Sequence, residues 1–222
     1  MDTSAEVLSL IGRLSAIPYT GAVSDILDEL GYGRQTLPST IQALVPGQTL
    51  AGRALTIVGE PSDIDDPDVI FPPVLQMLGD IQRGDVLVYQ ANDDVAAHLG
   101  ELSSETAKFR GAGGAVIDGG ARDTEYMVRL GFPVFCRFRT SRDIRGRWRL
   151  VDYNVPITIG GVAIRRGDFV LGDRDGVLVI PQEIAEVVIA RAEEVVGTEN
   201  EVRKAILAGA HPLAAYRQFG RF

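Results

Sequence analysis

Residues 85–89 (DVLVY) are continuously apolar and β-branched after the first acid, the pattern of a strand buried on both faces. A polar loop is expected over 90–100. Residues 101–110 are good helix formers, and Gly111 and Gly113-Gly114 stop that helix before a second apolar strand at 115–117. Gly119-Gly120-Ala121 reads as a turn. A helical segment then opens at Asp123 and runs to Leu130, and 132–135 (FPVF) begin a third strand. Strand, helix, strand, helix, strand with right-handed crossovers puts both strand-to-helix loops on one edge of a parallel sheet.

On the N-terminal side, 5–17 have helical apolar spacing and end before Pro18, and Thr20 caps a second helix running to about Leu30. Residues 50–59 (LAGRALTIVG) read as a strand, and 63–68 as an acidic, proline-bounded loop whose carboxylates face water. Past Arg149 the signals are short β-runs at 155–158, 162–164, 169–171 and 177–180, separated by glycine-containing turns. Asp173 and Asp175 (GDRDG) lack the spacing and terminal glutamate of a calcium loop and read as turn residues. A long helix at about 181–207 and a short one holding Tyr216 and Phe219 close the chain. The expected fold is α/β: one layered α/β/β domain over 1–222, a mixed sheet flanked by N-terminal helices at about 3–31 and C-terminal helices at about 181–219.

Composition narrows the classes. At 222 residues and 45% hydrophobic content the chain has ample material for one full core. A formal net charge of −8 argues against a nucleic-acid partner, although 137–149 (RFRTSRDIRGRWR) are locally basic and read as a solvated or subunit-facing loop. The single cysteine, Cys136, excludes an internal disulfide and sits in an apolar strand as a buried thiol. No charged-then-apolar leader and no membrane-length apolar run are visible, so a cytoplasmic location without a membrane partner is expected.

The chemistry concentrates where the two loops meet. Twenty residues lie between Glu101 and the pair Arg122-Asp123, and the carboxyl-end edge of an open sheet is where ligands usually bind. The free N–H groups of the first helical turn, here Gly100 to Ser103, would face a bound carboxylate. From the residues alone a plainer account stands beside this one, with Asp123 as a helix N-cap and Glu101 as a dipole-complementing acid. The Gly111-Ala112-Gly113-Gly114 run closes a helix rather than opening one, so it is not a dinucleotide loop. The lysines are Lys108 and Lys204 alone, and the histidines His98 and His211 alone. Schiff-base chemistry and soft-ligand zinc therefore have little support. Carboxylates favour Mg2+ or Mn2+.

Three segments, TGAVSDILDELG, GELSSETAKFRGAGGAVIDGGARD and GGVAIRRGDFVLGDRDGVLVIP, in that order and spanning most of the chain, resemble the family of 4-hydroxy-4-methyl-2-oxoglutarate aldolases and regulators of ribonuclease E activity. The resemblance implies a swivelling-domain type fold and a homotrimer or a dimer of trimers. It implies a 2-oxo acid held against Gly100, Glu101, Leu102 and Ser103, with its carboxylate on Arg122. It further implies a divalent cation bound by Asp123, reached through water by Glu101 and by an acid from a neighbouring subunit. Glu199 matches that last acid best, four residues before Arg203, and Glu201 is the competing choice. The implied activity is metal-dependent cleavage of a 4-hydroxy-2-oxo diacid to pyruvate, with oxaloacetate decarboxylation alongside. The other implied function is non-enzymatic binding of ribonuclease E, and a chain bearing Glu199 favours the enzyme.

Overall fold

The computed structural model describes residues 4–220. It runs α1 (Ala5–Ser15), α2 (Thr20–Glu29), β1 (Gln42–Ala43), β2 (Leu50–Pro61), α3 (Pro67–Gly79), β3 (Asp85–Gln90), β4 (Ala97–Leu99), α4 (Glu101–Phe109), β5 (Gly114–Ala121), α5 (Thr124–Leu130) and β6 (Val134–Arg139). It continues β7 (Trp148–Tyr153), β8 (Ile157–Ile159), β9 (Val162–Ile164), β10 (Phe169–Gly172), β11 (Val177–Ile180), α6 (Ala185–Leu207) and α7 (Pro212–Phe219). Residues 1–3 and 221–222, the outermost positions of the expected domain, lie outside the described residues.

β2, β3, β5 and β6 are neighbours in that order and all parallel, joined by the segments that carry α3, α4 and α5. Antiparallel β1, β7, β10 and β11 extend this sheet, and β4 pairs with β5, so the sheet is mixed. Side-chain alternation sorts the core into layers. Leu55, Ile57, Leu87, Tyr89, Ala115 and Ile117 meet Met77 of α3, Ala107 of α4 and Met127 of α5. Further along the same face, Phe169, Leu171, Leu178 and Ile180 meet α1, α2 and α6. The opposite face, with Val86, Val88, Val116, Val170 and Val179, is covered by the β8–β9 hairpin through Ile157, Ile159, Val162 and Ile164. Helices, sheet and hairpin make the α/β/β layering expected from the pattern.

Several local expectations change. Gly119-Gly120-Ala121 is no turn but the end of β5, buried and paired with β4 and β6. The expected loop at 90–100 contains β4. The sequence reading assigned nothing to α3, because Pro72 and Pro73 lie inside it. Asp66 caps that helix by accepting from the Asp68 N–H at 2.9 Å. Thr20 is the first residue of α2 rather than its cap, and its N–H and hydroxyl donate to Asp173 at 2.7 and 2.9 Å. Asp173 is thus a remote cap as well as a turn residue. The basic run is strand at both ends, β6 reaching Arg139 and β7 starting at Trp148. No helix among the described residues is long and apolar enough to cross a membrane.

Candidate active site

The N-cap of α4 is Gly100, whose backbone is extended (φ −132°, ψ −169°) and which has no side chain to cap the helix. The cap comes from another element. Asp123, at the far end of β5, accepts the Glu101 N–H on Oδ2 at 3.1 Å. A Cβ on Gly100 would stand 2.9 Å from that oxygen and 3.2 Å from Arg122 Nε, so glycine is what lets the Arg-Asp pair lie against the helix start. The N–H groups of Leu102 and Ser103, in the first turn, have no helical acceptor, and both residues line the same space. Together with the positive end of the helix they suit an anionic ligand.

The backbone around Arg122 is pinned on both sides. Its N–H donates to Leu99 O at 3.0 Å, and the Thr140 N–H donates to Ala121 O at 3.1 Å. Asp123 is held in the left-handed region (φ 54°, ψ 31°), a conformation costing a non-glycine residue about 1 kcal/mol or more. It occupies the N-cap position of α5 without capping it, since its carboxylate is turned to α4. The strain therefore accompanies a carboxylate aimed across the loop.

Arg122 lies between two acids, Nε 3.6 Å from Asp123 Oδ2 and Nη1 3.6 Å from Asp143 Oδ2. All three side chains are a third or more exposed, so these are loose pairs that an incoming carboxylate can rearrange. The sequence reading missed Asp143. Its signal was available, for it is the single acid within residues 137–149.

These residues line a cleft of about 420 Å³. Gly100, Glu101, Leu102, Ser103, Arg122, Asp123 and Asp143 form its polar side, while Phe71, Val74, Leu75 and Leu78 of α3 and Ile144 form an apolar wall. That wall was invisible to the sequence because α3 was. His98 lies at the base of the cleft with its side chain fully buried, Nε2 3.3 Å from Asp93 Oδ2 and Nδ1 accepting the Gly120 N–H at 3.2 Å. Burial, outweighing the attraction of Asp93, lowers its pKa to about 4, so the ring is neutral at physiological pH.

Among the described residues no three histidine, cysteine, aspartate or glutamate side chains converge as a metal site. A hard cation of the magnesium type needs only one or two protein carboxylates and keeps several waters. Asp123, partly exposed, and Glu101, at the adjacent helix start, fit that donor set, and the neutral buried His98 does not offer itself as a ligand.

Glu199 stands elsewhere. On α6 it accepts a short hydrogen bond from the Tyr19 hydroxyl, and burial together with this bond pushes the Tyr19 pKa up to about 12. Tyr19 lines a small cavity with Ala51 and Gly113, at the amino-terminal ends of β2 and β5. The cleft is at the carboxyl end of β5, roughly 25 Å away along the strand. Glu199 is thus not brought into the cleft of its own subunit. Glu201, the competing choice, pairs with Lys204 at 2.7 Å on the exposed side of α6.

A family model described as Aldolase/RraA matches residues 20–179. A protein of Halalkalibacterium halodurans, provisionally named as a 4-hydroxy-4-methyl-2-oxoglutarate aldolase, is 33% identical over 94% of both chains. Among solved structures, one titled as belonging to novel cellulases from gut-associated microbes is 37% identical, with a TM-score of 0.83 over 90% of both chains. Streptomyces coelicolor RraAS2, titled as an unusual member of the RNase ES inhibitor RraA protein family, is 29% identical, with a TM-score of 0.79 over 91% of this chain and 98% of that one.

Proposed function

The chain belongs to the RraA-like aldolase family, and from that premise we propose that it is a divalent-metal-dependent lyase. Its substrate would be 4-hydroxy-4-methyl-2-oxoglutarate or a related 4-hydroxy-2-oxo diacid, cleaved to pyruvate and a second 2-oxo acid. The observation that carries this reading is the meeting of Arg122, Asp123 and the start of α4 in one cleft.

Retro-aldol cleavage leaves negative charge on the 2-oxo oxygen, so the site must hold a carboxylate and stabilise that oxygen. Arg122 grips the substrate carboxylate with its planar fork in place of Asp143. The Leu102 and Ser103 N–H groups offer dipoles to the developing charge. Asp123 directly, and Glu101 and a neighbouring subunit's Glu199 through water, would hold Mg2+ or Mn2+, which supplies Lewis acidity beside the 2-oxo acid. A water held at Arg122 takes the C4 hydroxyl proton as the C3–C4 bond breaks, and C3 of the pyruvate enolate is reprotonated from solvent. Loss of carbon dioxide from oxaloacetate leads to the same enolate and is the expected side activity.

Glycoside hydrolysis would instead need two carboxylates free to act across the scissile bond. Here Asp123 and Asp143 both face Arg122, which favours anion capture.

The test is a panel of 2-oxo diacids assayed for pyruvate with and without magnesium. Arg122→Lys keeps the charge but loses the fork, and turnover should fall about 100-fold or more. Unchanged turnover in that variant would remove Arg122 from the mechanism, and activity persisting in excess chelator would remove the metal. A second reading, binding of ribonuclease E without catalysis, draws on the fold shared with RraAS2. Ribonuclease E binding with no pyruvate released from any diacid would select it.

A further inference from the structure

His98 sits where the pairing of two strands slips. Ala97 pairs with Gly120 and Leu99 with Ala121, so β4 bulges at His98 itself. The pairing of β5 with β6 also shifts, between Ile117 and Gly120. Bulges bend a strand and redirect the side chains that follow. Here the imidazole fills the irregularity. Nδ1 accepts the Gly120 N–H at 3.2 Å, and a Cβ on Gly119 would stand 2.7 Å from the ring. The far side of the ring is flanked twice, by Asp93, 3.3 Å from Nε2 without a hydrogen bond, and by Trp148 packed edge-on at 4.8 Å between centroids. Trp148 is itself tied by its indole N–H to Ala91 O at 2.8 Å, and Asp93 accepts the Val95 and Ala96 N–H groups at 3.1 and 2.6 Å. Two and three residues beyond Gly120 come Arg122 and Asp123.

We infer that His98 is a positioning residue for the cleft: a bare Nδ1 on a neutral ring plugs the β5 bulge and fixes the direction in which Arg122 leaves the strand. This rests on the lyase reading of the site. His98 acts through the backbone of Gly119 and Gly120 rather than on the substrate. The tautomer it needs carries its proton on Nε2, toward Asp93.

Two replacements separate this role from general packing. In His98→Asn the amide oxygen falls near the Nδ1 position and keeps the acceptor for Gly120, whereas in His98→Gln the amide reaches the Nε2 end and gives that acceptor up. Both are measured for kcat and KM in pyruvate release, for pyruvate affinity by calorimetry, for melting temperature, and for amide exchange over residues 118–123. His98→Asn should hold kcat within about threefold of the parent. His98→Gln should lose about thirtyfold in kcat and exchange faster at Gly120, with both variants melting at similar temperatures. Losses that simply follow melting temperature, or a His98→Gln enzyme matching the parent, would overturn the inference. A parent protein that releases no pyruvate would defeat the lyase reading alone. The same contrast is then read from Arg122-dependent pyruvate binding and from exchange at Gly120, where its presence supports the positioning role and its absence overturns it.

Discussion

At the scale of single residues, the cleft depends on groups held in states they would not choose in water. His98 has a pH signature. Its folded pKa is depressed to about 4, mainly by burial, against an unfolded value of 6.5. Below pH 6.5 the unfolded chain therefore binds a proton that the folded chain refuses. Stability falls as pH drops from about 6.5 to about 4 and levels off below, for a loss of about 3 kcal/mol in that window. His98→Asn removes this titration. The gap between the urea midpoints of parent and variant should be constant above pH 7 and shift in the variant's favour by pH 4.5; a gap independent of pH would contradict the neutral buried ring. Asp143 contributes charge beside Arg122. Asp143→Asn leaves Arg122 with less competition for a carboxylate, so pyruvate should bind about two- to tenfold tighter by calorimetry.

At the scale of elements, the start of α4 is where helix and strand must touch. Gly100→Ala inserts a methyl 2.9 Å from Asp123 Oδ2 and 3.2 Å from Arg122 Nε, displacing both functional side chains. Turnover should drop about tenfold or more while the melting temperature falls only slightly, since the strain is taken up at the open cleft. Gly12 of α1 supplies the contrast: a Cβ there meets nothing within 4 Å. Gly12→Ala should stabilise the protein by about 0.5–1 kcal/mol in urea unfolding without changing turnover. If both substitutions cost stability equally, packing at Gly100 is not specific to the site.

At the scale of the molecule, the proposed shared site would require an acid on α6 to reach a neighbour's cleft, since its own lies at the other end of the sheet. Within one subunit Glu199 is bonded to Tyr19, far from Arg122. If a neighbour's Glu199 completes the site in a trimer or hexamer, Arg122→Ala and Glu199→Ala proteins, each inactive, should regain activity on mixing and subunit exchange. The regained fraction is set by how many interfaces pair an intact Arg122 with an intact Glu199. No recovery in mixtures shown by mass to have exchanged would exclude a shared site, and dilution below the assembly range should lower specific activity if the site is shared.

The order β3, α4, β5, α5, β6, the parallel core these strands make, the layered α/β/β arrangement and the segments bearing Glu101 and Arg122-Asp123 were legible in the sequence. Local hydrophobic period and glycine punctuation determine all of these over short spans of chain. What only the tertiary structure decided lies between segments. α3 was hidden by Pro72 and Pro73, whose local penalty is outweighed by packing of Ile70, Met77 and Leu78 into the core. Gly119-Gly120 looked like a turn because its glycines answer to the ring of His98, remote in the chain, and not to positive φ. Asp143, the capping of α4 by Asp123, and the distance of Glu199 from its own cleft are likewise contacts between residues remote in the chain. Sequence periodicity reports which face of an element is buried, and it carries no information on which distant group will arrive there.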